Sequence, residues 1–458
     1  MKNLQYRSAP CFSWPVLVLP MLVVLLSLSL QTHSAQAAHV TPQIHPALSF
    51  HAQSRIGFHS GDDWEPSLTA DRFGHVYVLF KHYDVSGGQT CPGCDLHLLL
   101  QRSDDGGNTW SVPRPIAPGK VKGGQFDPQI AVDPLDGRTL WASFLQNETS
   151  RIAVVHSTDF GHTWSKPLIV SDLPPGLDKD ELAVRGKTIL VAYDDDENTW
   201  ASVSTDGGTH WATHLVFPTS PTFGISLAAG AAIDSQGAFY VSWDSFDQAH
   251  SENGQGPVTL WISKSTDQGQ TWTRKVIVTS PAAAPICDSC GFDYLSSQMA
   301  LQIGMDDTIY LFWNSNVDGI ANTPERVFFA RSTNHGKTYS LPVDISNAPA
   351  GVEHCFPALT VGATAGDVRL GWMDTRTGAW NVFFRKSTNG GVTWSKEVQL
   401  SSYVPGYPYL TRDGFGLPYG DYFSLAVDSQ NRTQAVFGEG PSYAGPGNQW
   451  VTHSMNEP

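Results

Sequence analysis

From about residue 47 onward the chain alternates short apolar runs with turn residues, and few runs are long enough or periodic enough for a helix. Gln129-Ile130-Ala131-Val132-Asp133 is followed by a turn at Asp136-Gly137, then by Thr139-Leu140-Trp141-Ala142-Ser143-Phe144 and Arg151-Ile152-Ala153-Val154-Val155-His156. Runs of β-branched and aromatic residues bounded by turn residues predict strands. A fourth run, Pro167-Leu168-Ile169-Val170, contains a proline, which cannot donate to a sheet ladder and so suits an outer edge. The same layout begins near Glu65, Asp127, Glu181, Ser226, Tyr294, Phe356 and Tyr422. The last unit shows only three runs before the sequence ends. Residues between about Pro46 and Phe58 read as an orphan strand before the first unit. Pairing that strand with the last unit would close a ring of sheets and remove an exposed edge.

A repeated octapeptide accompanies the strands. It reads Ser-x-Asp/Asn-x-Gly-x-x-aromatic at Ser103–Trp110, Ser157–Trp164, Ser204–Trp211, Ser265–Trp272, Ser332–Tyr339 and Ser387–Trp394. Its acid or amide residues are Asp105, Asp159, Asp206, Asp267, Asn334 and Asn389, spaced 54, 47, 61, 67 and 55 residues apart. Asp or Asn accepts hydrogen bonds from the turn's own amides, and the following Gly suits a positive φ. The aromatic ring buries between strands. Asn replaces Asp twice, which fits a hydrogen-bonding role and not a catalytic charge. The repeat resembles the Asp-box, or BNR repeat, of sialidases and related β-propellers. That resemblance implies a propeller with the boxes on turns between third and fourth strands, away from the functional face. The expected fold is therefore all-β, a seven-bladed propeller closed by an N-terminal strand, with a six-bladed sialidase-type ring as the alternative.

Composition narrows the class. The 458 residues include 42 Gly and 30 Pro, too many helix breakers for a helical bundle, and 11% aromatics, too many for a disordered chain. A formal charge of −15 argues against nucleic-acid binding. Lys2 and Arg7, the apolar stretch Trp14–Leu30 and the small-residue pattern Ala35-x-Ala37 read as a signal peptide over residues 1–38. Residues 39–458 then form one secreted propeller domain, expected to be monomeric and without membrane contact. The alternative is a retained N-terminal anchor.

In such propellers the loops leading into each innermost strand and those joining second to third strands share one face. Here they carry Asp63, Trp64 and Glu65; Asp127; Asp178, Asp180 and Glu181; Asp293 and Tyr294; Glu353 and His354; Arg412; and Tyr422. The second set carries Lys81 to Asp84, Asp194 to Glu197, Asp244, Trp313, Asn314, Asp374, Arg376 and Glu439, with Arg326 within reach. Carboxylates with aromatics suit carbohydrate, and the carboxylates also suit a divalent cation.

The resemblance to sialidases implies Tyr422 as nucleophile, Glu439 as the residue anchoring an arginine, and Asp84 at the acid/base position. It departs at Trp64-Glu65-Pro66, where the family has Arg-Ile-Pro; Glu65 becomes a candidate acid instead. Arg326, Arg376 and Arg412 are the candidate carboxylate holders, and Asp127, Asp293, Tyr294, Asp374 and Trp64 the remaining candidate substrate contacts. The expected activity is glycoside hydrolysis; the alternatives are a non-catalytic propeller binding glycan or protein, and a metal-binding propeller. Secreted cysteines default to disulfides, here Cys91–Cys94 and Cys287–Cys290. Cys355 is left free, paired across blades, or with His354 in a soft-metal site.

Overall fold

The computed structural model describes residues 48–456, apart from 59–60, 84–96, 118–123, 147–150, 196, 219–222, 248–256, 282–296, 317–318, 322, 379, 403–422 and 440–447. Among the described residues no helix forms. The strands make seven antiparallel sheets, six of four strands and one of five, so the ring has seven blades. The innermost strands are Asp62–Ala70, Gln125–Val132, Asp178–Arg185, Phe223–Ile233, Met299–Ile303, His354–Val361 and Ser424–Val427. Each runs from the funnel face toward the Asp-box face.

The last blade is closed by the N-terminal segment. Ser49–Phe50 and Ser54–Ile56 both pair antiparallel with Asn448–Asn456, with Ser54 opposite Val451 and Ile56 opposite Gln449. Arg55 therefore belongs to the closing strand, opposite Trp450. Between the pieces, the His51 amide donates to the His453 carbonyl at 3.0 Å, and the Thr452 hydroxyl donates to the His51 carbonyl at 2.6 Å.

All six boxes take one geometry. In the first, the Gly107 amide donates to Ser103 Oγ at 2.8 Å, and the Thr109 amide and hydroxyl donate to the Asp105 carboxylate at 2.9 and 2.7 Å. Asn334 and Asn389 accept the equivalent amides, from Thr338 and Thr393, at 2.9 Å each. A neutral amide does the same work, so the turn needs an acceptor and not a charge. Burial opposes ionisation of Asp105, but bonds from Thr109 and Ser103 bring its pKa down to about 2.

The box aromatics pack against the apolar cores between blades. Trp110, Trp164, Trp211, Trp272, Tyr339 and Trp394 each lie on a different buried cluster. The seventh cluster, between blades six and seven, has no box aromatic. Leu48 and Phe50 of the closing strand pack there instead, Phe50 edge-on to Phe384 with centroids 5.1 Å apart. Cations of one blade also reach the box carbonyls of the next: Arg102 to Phe160, Lys264 to His335, and Arg432 to Gly106, at 2.8, 2.9 and 2.9 Å.

A second Asp turn, not singled out in the sequence, caps the first hairpin of four blades. Asp71, Asp133, Asp234 and Asp428 accept amides two residues on at 2.8 to 3.0 Å.

Two box glycines separate backbone strain from packing. Gly207 has φ +79° with nothing near its absent Cβ, whereas at Gly391 (φ +85°) a Cβ would lie 2.2 Å from the Phe329 ring of the preceding blade. Gly207→Ala is expected to cost about 1–2 kcal/mol, the left-handed penalty alone. Gly391→Ala adds a rigid clash with a core ring and is expected to cost more than about 3 kcal/mol. Denaturant unfolding of both variants checks the difference.

Candidate functional site

The innermost strands share an irregularity at the funnel end. Pairing shifts register between Trp64 and Ser67, Phe126 and Gln129, Asp178 and Glu181, and Cys355 and Ala358. In each gap a non-glycine residue adopts positive φ: Glu65 at 55°, Asp127 at 48°, Lys179 at 49° and Phe356 at 51°. Pro66, Pro128 and Pro357 follow three of them, removing an amide where the ladder is broken. Left-handed backbone costs roughly 1–3 kcal/mol at each such residue. The sequence echo is visible afterwards in Trp-Glu-Pro-Ser, Phe-Asp-Pro-Gln and Cys-Phe-Pro-Ala. The strand reading noted the residues and missed the recurring bulge.

The bulges of blades one to three bring carboxyl groups together. Glu65 accepts the Asp127 amide across the blade boundary at 3.1 Å. Asp178 of the next blade lies close enough to act on the ionisation of Asp127. Burial, reinforced by the Glu65 and Asp178 charges and opposed by Lys179, raises the Asp127 pKa well above the usual carboxyl range. Asp180 is fully buried beside them. One of its oxygens accepts the Ser143 hydroxyl, and the other has no hydrogen-bond partner. Burial and the Glu181 and Asp178 charges raise its pKa too, against the bond from Ser143. The central channel, about 1020 Å³, opens alongside and is lined at this end by Lys179, Glu181, Asp244 and Gln298.

Blade one supplies an aromatic and cationic flank. Trp64 lies 5.0 Å from the Tyr83 ring, and Lys81 Nζ lies 5.1 and 4.7 Å from the Tyr83 and Phe126 ring centres. Asp63 is buried and bonds His82 Nδ1 at 2.8 Å and the Phe58 amide at 3.0 Å. Burial outweighs these bonds and raises its pKa.

Blades five and six hold a second polar network. Glu325 accepts the Ser297 hydroxyl at 2.7 Å and also bonds Asn314, while Glu353 accepts the Glu325 amide at 2.8 Å. Asp374 accepts Trp372 Nε1 at 2.9 Å and holds Arg376, which also bonds Glu397 and Ser346 and lies 3.9 Å over the Phe383 ring. Arg326 bonds Asp344 and the carbonyls of Ala348 and Ser346 at 2.8, 2.8 and 2.6 Å. Of the three expected carboxylate holders, the structure thus places Arg326 and Arg376 on intramolecular acceptors, with every guanidinium nitrogen of these two engaged.

Cys355 is buried and free. Its neighbour His354 places Nδ1 against the Glu325 carbonyl at 2.8 Å and Nε2 against Ser346 Oγ at 2.7 Å. Burial raises the thiol's pKa well above its usual value and lowers that of the imidazole. Among the described residues no three His, Cys, Asp or Glu side chains converge to hold a metal ion. No disulfide forms among the described residues; Cys91, Cys94, Cys287 and Cys290 lie outside them. Asp84, Asp293, Tyr294, Arg412 and Tyr422 also lie outside the described residues, as does the side chain of Glu439. The Glu439 backbone ends the strand Thr433–Glu439, opposite Asn448.

Seven blades whose turns carry Asp-boxes define an all-β, seven-bladed propeller with BNR-type repeats. A BNR repeat-like domain model matches residues 237–403, about a third of the chain. No curated protein matches the sequence. Among solved structures, a protein of unknown function from Dyadobacter fermentans is 14% identical with a TM-score of 0.53, covering 90% of this chain and 100% of that one. A polysaccharide lyase, an ulvan lyase, is 10% identical with a TM-score of 0.50, covering 86% and 95%. A Hadza microbial sialidase is 16% identical with a TM-score of 0.48, covering 87% and 66%. At such identities the likeness is one of fold.

The raised Asp127 pKa has a measurable sign. Folding keeps a proton that the unfolded carboxyl releases above about pH 4, so this residue lowers stability as pH rises above that value. Asp127→Asn is expected to match wild type near pH 4.5 and to melt several degrees higher at pH 8. Thermal unfolding of both proteins across that range tests it.

Proposed function

We propose that this chain is a glycan-acting enzyme, a glycoside hydrolase whose acid–base chemistry sits at the funnel end of the channel. The observation that supports this most directly is a buried carboxyl group of raised pKa, Asp127, beside a second carboxyl, Glu65, on strained bulges of adjacent blades. A general acid must keep its proton near the working pH, and burial among like charges achieves that. Glu65 is then the partner carboxyl, as base or nucleophile. Trp64 and Tyr83 offer apolar ring faces to a sugar, and Glu181 and Asp244 offer hydroxyl acceptors. Tyr422, Asp84 and Glu439 remain candidate catalytic groups on the sialidase resemblance, and Asp293, Tyr294 and Arg412 candidate substrate contacts. A propeller that binds glycan without cleaving it is the second reading, favoured by the engagement of Arg326 and Arg376 in internal ion pairs and hydrogen bonds.

The proposal includes export. Residues 1–38 act as the signal, and N-terminal sequencing of the secreted protein is expected to start at Ala38 or His39.

The test is turnover of fluorogenic glycosides, a sialoside among them, with and without chelator. Glu65→Gln is expected to reduce kcat/KM by about 10²–10⁴-fold. Asp127→Asn is expected to match that loss on substrates with poor leaving groups and to lose less on activated aryl glycosides. Loss confined to chelated samples would bring a divalent cation into the site. Binding of glycan without turnover of any substrate would establish the second reading.

A further inference from the structure

The closing strand meets the ring through two histidines in tilted ring contact. His51 joins the two short pairing segments, and its ring lies 4.3 Å from that of His453, on the strand it covers. His453 is 5% exposed, and its Nε2 has no hydrogen-bond partner. Its surroundings come from three elements. The closing strand supplies His51, blade seven supplies Arg432 and Asp428, and the first Asp-box of blade one supplies Asp105. Asp428 is already bonded to Arg432 and Gln434, and Asp105 to its own turn. Neither carboxylate donates an acceptor to the buried nitrogen. A proton on His453 would therefore enter a buried site facing His51 and Arg432.

We propose that this histidine pair is an acid-sensitive latch on ring closure, holding the N-terminal strand on blade seven at neutral pH and releasing it in acid. The segment it releases leads directly into the candidate site. After Ile56, the Gly57 amide bonds Gln101 at 2.7 Å, the Phe58 amide bonds Asp63 at 3.0 Å, and the Phe58 ring lies 4.5 Å from His82. Trp64 and Glu65 follow at once. Release also removes Leu48 and Phe50 from the one blade interface that lacks a box aromatic.

The sign follows from the buried ring. Burial, then His51 and Arg432, bring the His453 pKa down to about 4, while a solvated histidine titrates near 6.5. The open state therefore binds the proton first. Closure is fully held above about pH 6.5 and weakens as pH falls toward 4. Between pH 7 and pH 4.5 the open fraction is expected to rise roughly 50-fold.

Hydrogen exchange of the full mature chain tests this, with rates corrected for the intrinsic effect of pH. The amides of His51 and Ile56 are expected to lose protection roughly 50-fold between pH 7 and 4.5, while amides in Val258–Ser265 of blade four do not. His453→Leu and His453→Gln, neither of which titrates, are expected to abolish that dependence. Two variants are used so that a packing defect in one does not decide the outcome. Equal protection at both pH values in wild type would overturn the proposal. So would an undiminished pH response in both folded variants.

Discussion

Closure of the ring depends on the wedge of apolar side chains between each pair of blades. A propeller has no single core; it has one core per interface, and the ring holds only if every interface is filled. The Asp-box is the device that fills them. Its Ser and Asp hold a turn rigid, and that turn drives an aromatic ring onto the seam. Six interfaces use it, and the seventh uses Leu48 and Phe50 from the other end of the sequence. The N-terminal strand therefore does two things at once: it completes the sheet of blade seven and supplies the apolar wedge at that interface.

The funnel end reverses this economy. There the strands break register, non-glycine residues take left-handed backbone, and carboxyl groups are buried beside one another. Each feature opposes folding, and left-handed non-glycine backbone also occurs in the box turns, at Phe160, Gln268 and His335, so the buried acid cluster is what sets the funnel end apart. Strain and shifted acidity of this kind concentrate where a fold does chemistry. In the cluster formed by Glu65, Asp127, Asp178 and Asp180, the buried Asp127 and Asp180 are not solvated loop acids, and the proposed chemistry is placed there. The network around Glu325, Asp374 and Arg376 differs in kind. Its arginines are consumed by internal partners.

Much of the architecture was legible along the chain because its determinants are local. A box turn is written in eight consecutive residues, and a strand in five or six. Seven inner strands, six boxes and an N-terminal closing strand could be counted before any contact was known. The roles of Arg326 and Arg376 could not be read this way. Both lie near the functional face in sequence order, yet Arg326 reaches Asp344 and Arg376 reaches Glu397, partners set by outer strands. The pairing of Asp127 with Asp178 was equally hidden, because those residues sit on different blades. Its local trace is the Pro that follows the bulge residue at Asp127, as it does at Glu65 and Phe356.

By itself the sequence determined the repeat, the turn chemistry, the strand pattern and the segment that closes the ring. All are encoded within a few residues, by hydrogen-bonding side chains, positive-φ glycines and apolar runs. Tertiary structure alone decided which carboxyl groups are buried beside one another, which arginines are occupied, and that His453 is buried against His51. Charge interaction and desolvation depend on distance and on the exclusion of water, and both are properties of blades brought side by side.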